Sequence, residues 1–382
     1  MAGLYIHIPF CKQKCAYCDF PSWPGREGDA GRYFNAVIRE ADMAFLPPRG
    51  RCPEGAEGVF TTVFIGGGTP SLLPAGELER LMNALRSVLN IRPVEFTVEA
   101  NPGTVDRRKL ESFRRMGADR LSFGVQAAQD RLLRRIGRIH TWADFLRSVE
   151  SAREAGFQNI SADMMTGLPG QTVADAVDTA ERLAALGLEH VSCYGLILEE
   201  GTRLYDDVRA GREAVPDGDG ERALFHAARA VLEGAGIRRY EISNFARPDY
   251  ECRHNLNYWH NGDWLGLGPG AASHFSGRRR ENHAGLDAYL AELEAGRLPF
   301  AEEHTISADE AAFETVMLEL RLVDGIDFSV FERKHGFNFL SKYNKQVEKF
   351  IYQGLMKKTN FSVSLTEKGM DLQNTVLMDF ME

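Results

Sequence analysis

The chain has 382 residues, 44% of them hydrophobic and 26% charged, with a formal net charge of −9. That length suits one large domain plus a small one, the composition is that of an ordinary globular protein, and the acidic balance argues against a nucleic-acid platform. No apolar run approaches the length of a membrane span, and no secretory leader precedes the first predicted strand. Six cysteines in a chain of this size do not read as a disulfide framework, so free thiols and a reducing cytoplasm are expected.

The first element is an apolar run, Leu4-Tyr5-Ile6-His7-Ile8, which ends at Pro9-Phe10 and runs into Cys11-Lys12-Gln13-Lys14-Cys15-Ala16-Tyr17-Cys18. Clustered thiols on a short loop are how iron–sulfur clusters are held. Three thiolates on a four-iron cube leave one iron open to a small molecule. Zinc is the plainer alternative, but it prefers four ligands in two close pairs, and Cys52, Cys193 and Cys252 are isolated in sequence. Residues 30–46 read as a helix with Tyr33, Phe34, Val37, Ile38, Ala41 and Phe45 on one face, stopped by Pro47-Pro48. Cys52 falls in the Gly/Pro-rich loop that follows and is expected near solvent.

Thr61-Thr62-Val63-Phe64-Ile65 predicts a buried strand ending in Gly66-Gly67-Gly68-Thr69-Pro70. A triple glycine is either a tight strand-to-helix turn or a place where backbone approaches a ligand closely. A helix from Glu77 follows, and the alternation repeats. Strands are predicted at Val94–Glu99, Arg120–Gln126, Ile160–Met165 and His190–Leu196, each separated by a helix-period segment. Counting the first at residues 4–8 gives six βα units. Glu99, Gln126, Arg138 and Asp163 lie at or just beyond strand ends, where such folds place their chemistry. A buried Glu–Arg structural pair is the plainer reading of any one of them. Cys193, within the sixth strand, reads as a small core residue.

A polar loop over 209–221, a helix over about 222–232 and a strand at Ile237–Ile242 lead to a second motif-rich block. It contains Cys252-Arg253-His254-Asn255-Leu256-Asn257-Tyr258-Trp259-His260 and then Trp264-Leu265-Gly266-Leu267-Gly268-Pro269-Gly270-Ala271. Imidazole and flat aromatic surfaces suit a haem, and a packed aromatic corner with His254 bonded to backbone suits the same residues. The tail is compositionally distinct. Only Lys12, Lys14 and Lys109 precede Lys334, seven lysines occupy the remainder, and no arginine follows Arg333. Helical stripes through Phe331, Phe339, Val347 and Phe350, a hairpin arm at Phe361–Thr366 and a last helix from Lys368 predict a small winged-helix-like domain that acts as a lid or docking element. The expected division is 1–235, 236–325 and 326–382.

The Cys-x3-Cys-x2-Cys loop after a first strand, with Tyr17 before the third cysteine, resembles the radical S-adenosylmethionine (SAM) superfamily. The resemblance implies an α/β fold built on a partial (β/α)6 barrel, and a [4Fe-4S] cluster on Cys11, Cys15 and Cys18. It also implies SAM on the fourth iron, cleaved reductively to methionine and a 5′-deoxyadenosyl radical. It carries Tyr5, Tyr17, Gly66, Gly67, Gly68, Thr69, Glu99, Gln126, Arg138 and Asp163 over as SAM-binding positions. The His254-Asn255-x-x-Tyr258-Trp259 block and the glycines after it resemble the anaerobic coproporphyrinogen III oxidase-like group, and most closely its HemW-type haem-chaperone branch, with His254 toward haem. Phe20 stands where the decarboxylases of that group have a fourth cysteine. The first strand starts almost at residue 1, where they carry an extension. Both features favour a haem chaperone over the alternative, an oxygen-independent coproporphyrinogen III dehydrogenase. The implied partners are haem or a related tetrapyrrole, an acceptor haem protein, soluble or membrane-associated, and an electron donor.

Overall fold

The computed structural model describes residues 2–45 and 59–381. Cys52 and the Pro47-Pro48 helix stop lie outside the described residues. Six strands, β1 (Ala2–Ile8), β2 (Phe60–Gly67), β3 (Ile91–Ala100), β4 (Arg120–Gln126), β5 (Asn159–Thr166) and β6 (His190–Gly195), pair in parallel and in sequence order. Helices Ala30–Phe45, Glu77–Val88, Arg107–Arg115, Trp142–Glu154 and Val173–Ala185 fall between them. This is the six-unit α/β alternation that the sequence predicts.

The period of two along each strand divides the residues cleanly. Leu4, Ile6 and Ile8, Val63 and Ile65, Phe96 and Val98, Leu121 and Phe123, Ile160 and Ala162, and Val191 and Cys193 share one hydrophobic core with the helices. Most of the alternate positions are polar: Thr62, Glu95, Thr97, Glu99, Arg120, Ser122, Ser161, Asp163, His190 and Ser192, with Phe64 an apolar exception. They bond to one another or to incoming segments on the other face of the sheet. Apolar burial against the helices stabilises the sheet, which leaves the opposite face free to carry chemistry.

Both edges of the sheet are extended by residues beyond 235. The strand predicted at Ile237–Ile242 is only a two-residue piece, Arg238–Arg239, and the strand that pairs with β6 is β7 (Asn244–Ala246), antiparallel. The reason is Glu241. Its carboxylate accepts from Ser243 N at 3.0 Å and Asn244 Nδ2 at 2.6 Å, which folds the chain into a turn where a ladder was expected. The helix predicted from Arg222 starts earlier, at Gly218, because Asp217 caps it through Gly220 N at 2.8 Å. On the opposite edge the glycine-rich block supplies β8 (Asp263–Leu267), parallel to β1. Three antiparallel strands, β9 (Ala272–Phe275), β10 (Arg278–Asn282) and β11 (Phe300–Thr305), continue the sheet outward.

A second core gathers Ala312, Val316, Leu320, Ile326, Phe331, Phe339, Val347, Phe350, Val363 and Phe380. It holds the tail helices Phe328–His335 and Phe339–Tyr352 against a three-stranded sheet formed by Ile326–Asp327, Met356–Lys358 and Ser362–Leu365. The predicted last helix is two short ones, Glu367–Asp371 and Gln373–Met378, broken where Leu372 leaves helical geometry.

Glu40 ties the first helix to the glycine-rich block. It is almost fully buried and accepts from Gly268 N at 3.0 Å, Asn282 Nδ2 at 2.6 Å and Tyr289 Oη at 2.5 Å. Glu40→Ala leaves three donors without an acceptor and lowers stability by about 2–4 kcal/mol, read as a fall in the denaturant midpoint. Burial pushes the Glu40 carboxyl from its ordinary 4.5 up to about 7, against the three donated bonds. A raised folded-state value means that the contributed stability is fully present below 4.5 and is lost as pH rises through 7. Glu40→Gln therefore loses less stability than the wild type between about pH 5 and about pH 8, and equal slopes in the two proteins sink this account.

Candidate functional site

The cysteine loop leaves β1 at Pro9 and is fastened on three sides. Phe10–Cys11 pairs with Trp23–Pro24 in a two-strand parallel ladder. Ala16 N donates to Ile136 O at 2.9 Å and Leu204 N to Ala16 O at 2.8 Å, so the loop is also hung from the far side of the sheet. Cys11 is buried, and Cys15 and Cys18 are half-buried, all as free thiols. Burial pushes the Cys18 thiol up to about 11, with the neighbouring sulfurs of Cys15 and Cys11 adding to the rise. The Arg138 guanidinium sits at 3.5 Å from Cys15 Sγ. Three thiols on one loop with a cation beside them match the donor set of an iron–sulfur cluster, where each thiolate binds a different iron. Among the described residues no three His, Cys, Asp or Glu converge as a single bound ion requires.

The glycine run is positioned by the same loop. Gly68 N donates to Ile8 O and Thr69 N to Phe10 O, each at 2.8 Å. A Cβ at Gly68 would lie 2.7 Å from Phe10 O, 2.8 Å from Ile8 O and 3.1 Å from Cys11 Sγ. Gly67 has φ +102°, and its Cβ would lie 2.6 Å from the His7 ring; that of Gly66 would meet Glu99 Oε2 at 2.8 Å. All three positions thus require glycine for close approach.

Around this mouth the structure gathers the predicted strand-end residues. Glu99 Oε2 accepts from Gly67 N at 3.1 Å. Burial first, and then the nearby Asp163 charge, push Glu99 up to about 8, while the Gly67 N–H and Arg120 oppose the rise. Asp163 accepts from Ser122 Oγ at 3.1 Å and is also raised by burial. Gln126 sits at φ +60°, in the left-handed region that non-glycine residues seldom adopt, beside a bulge in the β4–β5 ladder. Its Oε1 is buried without a hydrogen-bond partner, as is Nε of Arg138. Arg138 donates to Asn101 Oδ1 at 2.7 Å and to Gly124 O. Buried polar atoms normally have partners. Two orphans beside two desolvated carboxylates fit a polar ligand that brings hydroxyls and a positive charge, which is the chemistry of the ribose and α-ammonium groups of SAM. Tyr17 packs on the small apolar cluster of Ala127, Leu132 and Leu133, next to Arg138 and the thiols.

His254 lies in a second compartment. A cavity of about 380 Å³ is lined by Tyr5, Phe64, His254, Asn255, Tyr258, Trp259, Trp264, Ala272 and Leu318. The His254 ring stacks on Phe64 at 5.3 Å, and its nitrogens are bonded to side chains, where a backbone bond was the plainer expectation. Nδ1 is 2.9 Å from Thr62 Oγ1 and Nε2 is 2.8 Å from Tyr258 Oη. Burial lowers its pKa to about 3, so the ring is neutral. Tyr5 is the residue that the two compartments share. It lines the cavity and, through His7, reaches the exit of the cysteine loop: Tyr5 Oη is 2.9 Å from His7 Nδ1, and His7 Nε2 is 2.7 Å from Pro21 O.

Sequence reasoning missed His7, Glu95 and Asn101. Two of them were findable: His7 is two residues from Tyr5, and Glu95 four from Glu99, so period two puts each on the same face as its predicted neighbour. Glu95 caps helix Arg253–Trp259, accepting from Arg253 N at 2.9 Å and His254 N at 3.0 Å, with Cys252 Sγ at 3.4 Å. Asn101 bridges Thr69 Oγ1 and Arg138, each within 2.9 Å.

The sequence profile described as Radical SAM superfamily matches residues 5–183, and that described as HemN C-terminal domain matches residues 306–372. The chain is 36% identical over its whole length to the Bacillus subtilis protein named Heme chaperone HemW, covering 99% of that relative. It is 38% identical to the protein of the same name from Synechocystis over 85% of this chain and 79% of that one. Its fold is similar to the solved structure of coproporphyrinogen III oxidase (HemN) from Escherichia coli, with a TM-score of 0.84 at 23% identity over 99% of this chain and 89% of that one. The chain therefore belongs to the radical SAM superfamily, and within it to the family of the relatives named Heme chaperone HemW.

Proposed function

We propose that this protein is a haem chaperone that binds haem in the aromatic cavity and passes it to an acceptor haem protein, with a [4Fe-4S] cluster and SAM at the adjoining mouth. The observation that carries the reading is the shared wall. One side chain, Tyr5, borders both the cavity lined by His254, Tyr258 and Trp264 and the site of thiols, glycines and buried carboxylates. The names of the full-length relatives support it. In this reading Cys11, Cys15 and Cys18 hold the cluster, and Tyr5, Tyr17, Gly66, Gly67, Gly68, Thr69, Glu99, Gln126, Arg138 and Asp163 surround SAM. When bound, cluster and SAM supply one-electron chemistry, fed by an electron donor. The chain's own part is to hold, orient and shield them. A cytoplasmic location belongs to the same reading, since an accessible three-thiol loop needs reducing surroundings. We keep the division 1–235, 236–325 and 326–382, with helix Ala308–Glu319 contributing both to the second core and, through Leu318, to the cavity wall.

His254 is the residue proposed to meet the haem iron. Donation from Nδ1–H to Thr62 Oγ1 leaves the Nε2 lone pair directed at Tyr258, and an iron would replace that hydroxyl. Metal-bound histidines commonly have their second nitrogen fixed in this way. Because the ring is neutral above about pH 3, no proton competes for Nε2 at ordinary pH.

Four outcomes test this reading. Anaerobically reconstituted protein binds haem stoichiometrically and forms no vinyl product from coproporphyrinogen III, whereas vinyl product refutes the chaperone role. His254→Ala changes the haem spectrum, and wild-type haem affinity stays flat from about pH 5 to about pH 8; a spectrum unchanged by the substitution removes His254 from the site. Serine at Cys11, Cys15 or Cys18 abolishes bound iron and acid-labile sulfide, and retention of both in any of the three variants overturns the cluster assignment. For Glu99, the raised carboxyl must ionise to hold a ligand ammonium. SAM affinity therefore falls about tenfold per unit as pH drops below 8, and Glu99→Gln binds more weakly without that slope. The same slope in the variant excludes Glu99 as its source.

A further inference from the structure

We propose that Arg321 and Trp259 form a carboxylate-binding subsite at the edge of the aromatic cavity, selecting a tetrapyrrole by its acid side chains. The inference rests on the haem reading above and adds to it a basis for choosing among planar ligands.

The cavity wall is aromatic and aliphatic apart from His254, Asn255 and the tyrosine hydroxyls, and it contains no cation. Such a wall holds the face of a macrocycle but leaves propionate groups without counter-charges. The nearest answer on the wall is Trp259. The Arg321 guanidinium carbon lies 4.3 Å from the centroid of its ring, a stacked cation–π pair. Each member of the pair has a buried donor with no acceptor: Nε1 of Trp259 and Nε of Arg321. One buried orphan donor is uncommon, and two on residues in direct contact point to an acceptor that belongs to a ligand.

The far end of Arg321 explains how it is held. Its Nη2 is 3.6 Å from Oε2 of Glu241, a fully buried carboxylate, which is close enough for attraction and too long for a hydrogen bond. Oε1 of Glu241 is already taken by Ser243 N and Asn244 Nδ2, so Glu241 is anchored to the backbone while Oε2 has no hydrogen-bond partner. Glu241 thus steadies the guanidinium without consuming Nε. The Arg321 side chain keeps 29% of its exposure while Nε itself is covered, so a ligand group that approaches the side chain reaches that donor by displacing what covers it. A planar guanidinium with free donors is the side chain best matched to a carboxylate. Leu318, one turn before Arg321, lines the cavity, so the segment that supplies a wall also supplies the cation.

The test titrates haem and haem dimethyl ester, whose propionates are capped, into the full chain and its Trp259→Phe and Arg321→Gln variants. The wild type binds the free acid about tenfold or more tighter than the diester, as a hydrogen bond to a charged group implies. Trp259→Phe keeps an aromatic wall but removes the donor together with part of the indole surface; both ligands lose the surface and only the acid loses the donor, so it narrows the ratio by weakening the acid more than the diester. Arg321→Gln narrows it further. Equal wild-type affinity for both ligands, or variants that lose acid and diester by the same factor, overturns the subsite and leaves the haem reading standing. A wild type that binds neither ligand overturns the haem reading and the subsite with it. Trp259→Phe leaves both charged groups of the Arg321–Glu241 pair in the chain, so its result does not depend on any effect of Arg321→Gln on folding.

Discussion

Two backbone hydrogen bonds organise the mouth of this protein. Gly68 N to Ile8 O and Thr69 N to Phe10 O extend the pairing of β1 and β2 past the point where β1 ends, into the loop that bears the thiols. The cysteine loop and the glycine run are therefore one unit with a fixed separation. That separation leaves no room for a side chain at residue 68, whose Cβ would meet two carbonyl oxygens and the Cys11 sulfur. A methyl group there must push the loop outward, and the spacing of the three thiols moves with it. A cluster site tolerates such movement poorly, because ligand bonds are fixed in length and direction.

The second constraint is electrostatic. The sheet buries its aliphatic residues on the helical side and concentrates Glu95, Glu99, Asp163 and Arg120 on the other. A buried carboxylate without partners costs several kcal/mol in order of magnitude. The fold answers differently at each one. Glu95 is given two backbone N–H donors at the start of helix Arg253–Trp259, which fastens the His254 block beneath the strands. Glu99 receives a single N–H, from Gly67, and stays raised to about 8. Two glutamates four residues apart on one strand, with the same intrinsic chemistry, thus serve different ends. The satisfied one holds structure, and the under-satisfied one is left with capacity for a ligand. Arg120, with Nε unpartnered, is the cation common to their surroundings.

Much of this was legible in the residues. Six apolar runs separated by helix-period segments gave the parallel order, and the Cys and Gly spacings marked the mouth. What escaped did so for physical reasons. The strand at Asp263–Leu267 was concealed because its glycine permits close approach to Ala272 and thereby weakens the β signal; the Gly266 Cβ would sit on the Ala272 carbonyl. The turn at Glu241 depends on a side chain replacing a ladder partner, which no periodicity records. The cap at Glu95 joins residues separated by more than 150 positions in sequence, so only the folded chain shows that a strand glutamate ends as a helix cap. His254 was placed in the right block, but its two side-chain partners, Thr62 and Tyr258, come from a distant strand and from its own helix.

The polarity of the link between the compartments follows from one carbonyl. Pro21 O can only accept, so His7 Nε2 must carry the proton, and Nδ1 is left as the acceptor for the Tyr5 hydroxyl. Burial lowers His7 to about 4, which keeps this neutral tautomer in place across ordinary pH. The Tyr5 proton is thereby committed to His7, and burial raises the hydroxyl well above its usual pKa, so it does not ionise. Its oxygen consequently presents only lone pairs to its other neighbours. A group that approaches Tyr5 from the cavity or from the mouth must therefore bring a donor, and an approaching acceptor meets like polarity. The carbonyl of the cysteine-loop exit and two side chains form a single directed chain that ends at the cavity wall, so hydrogen-bond sense as well as shape limits what Tyr5 can meet there.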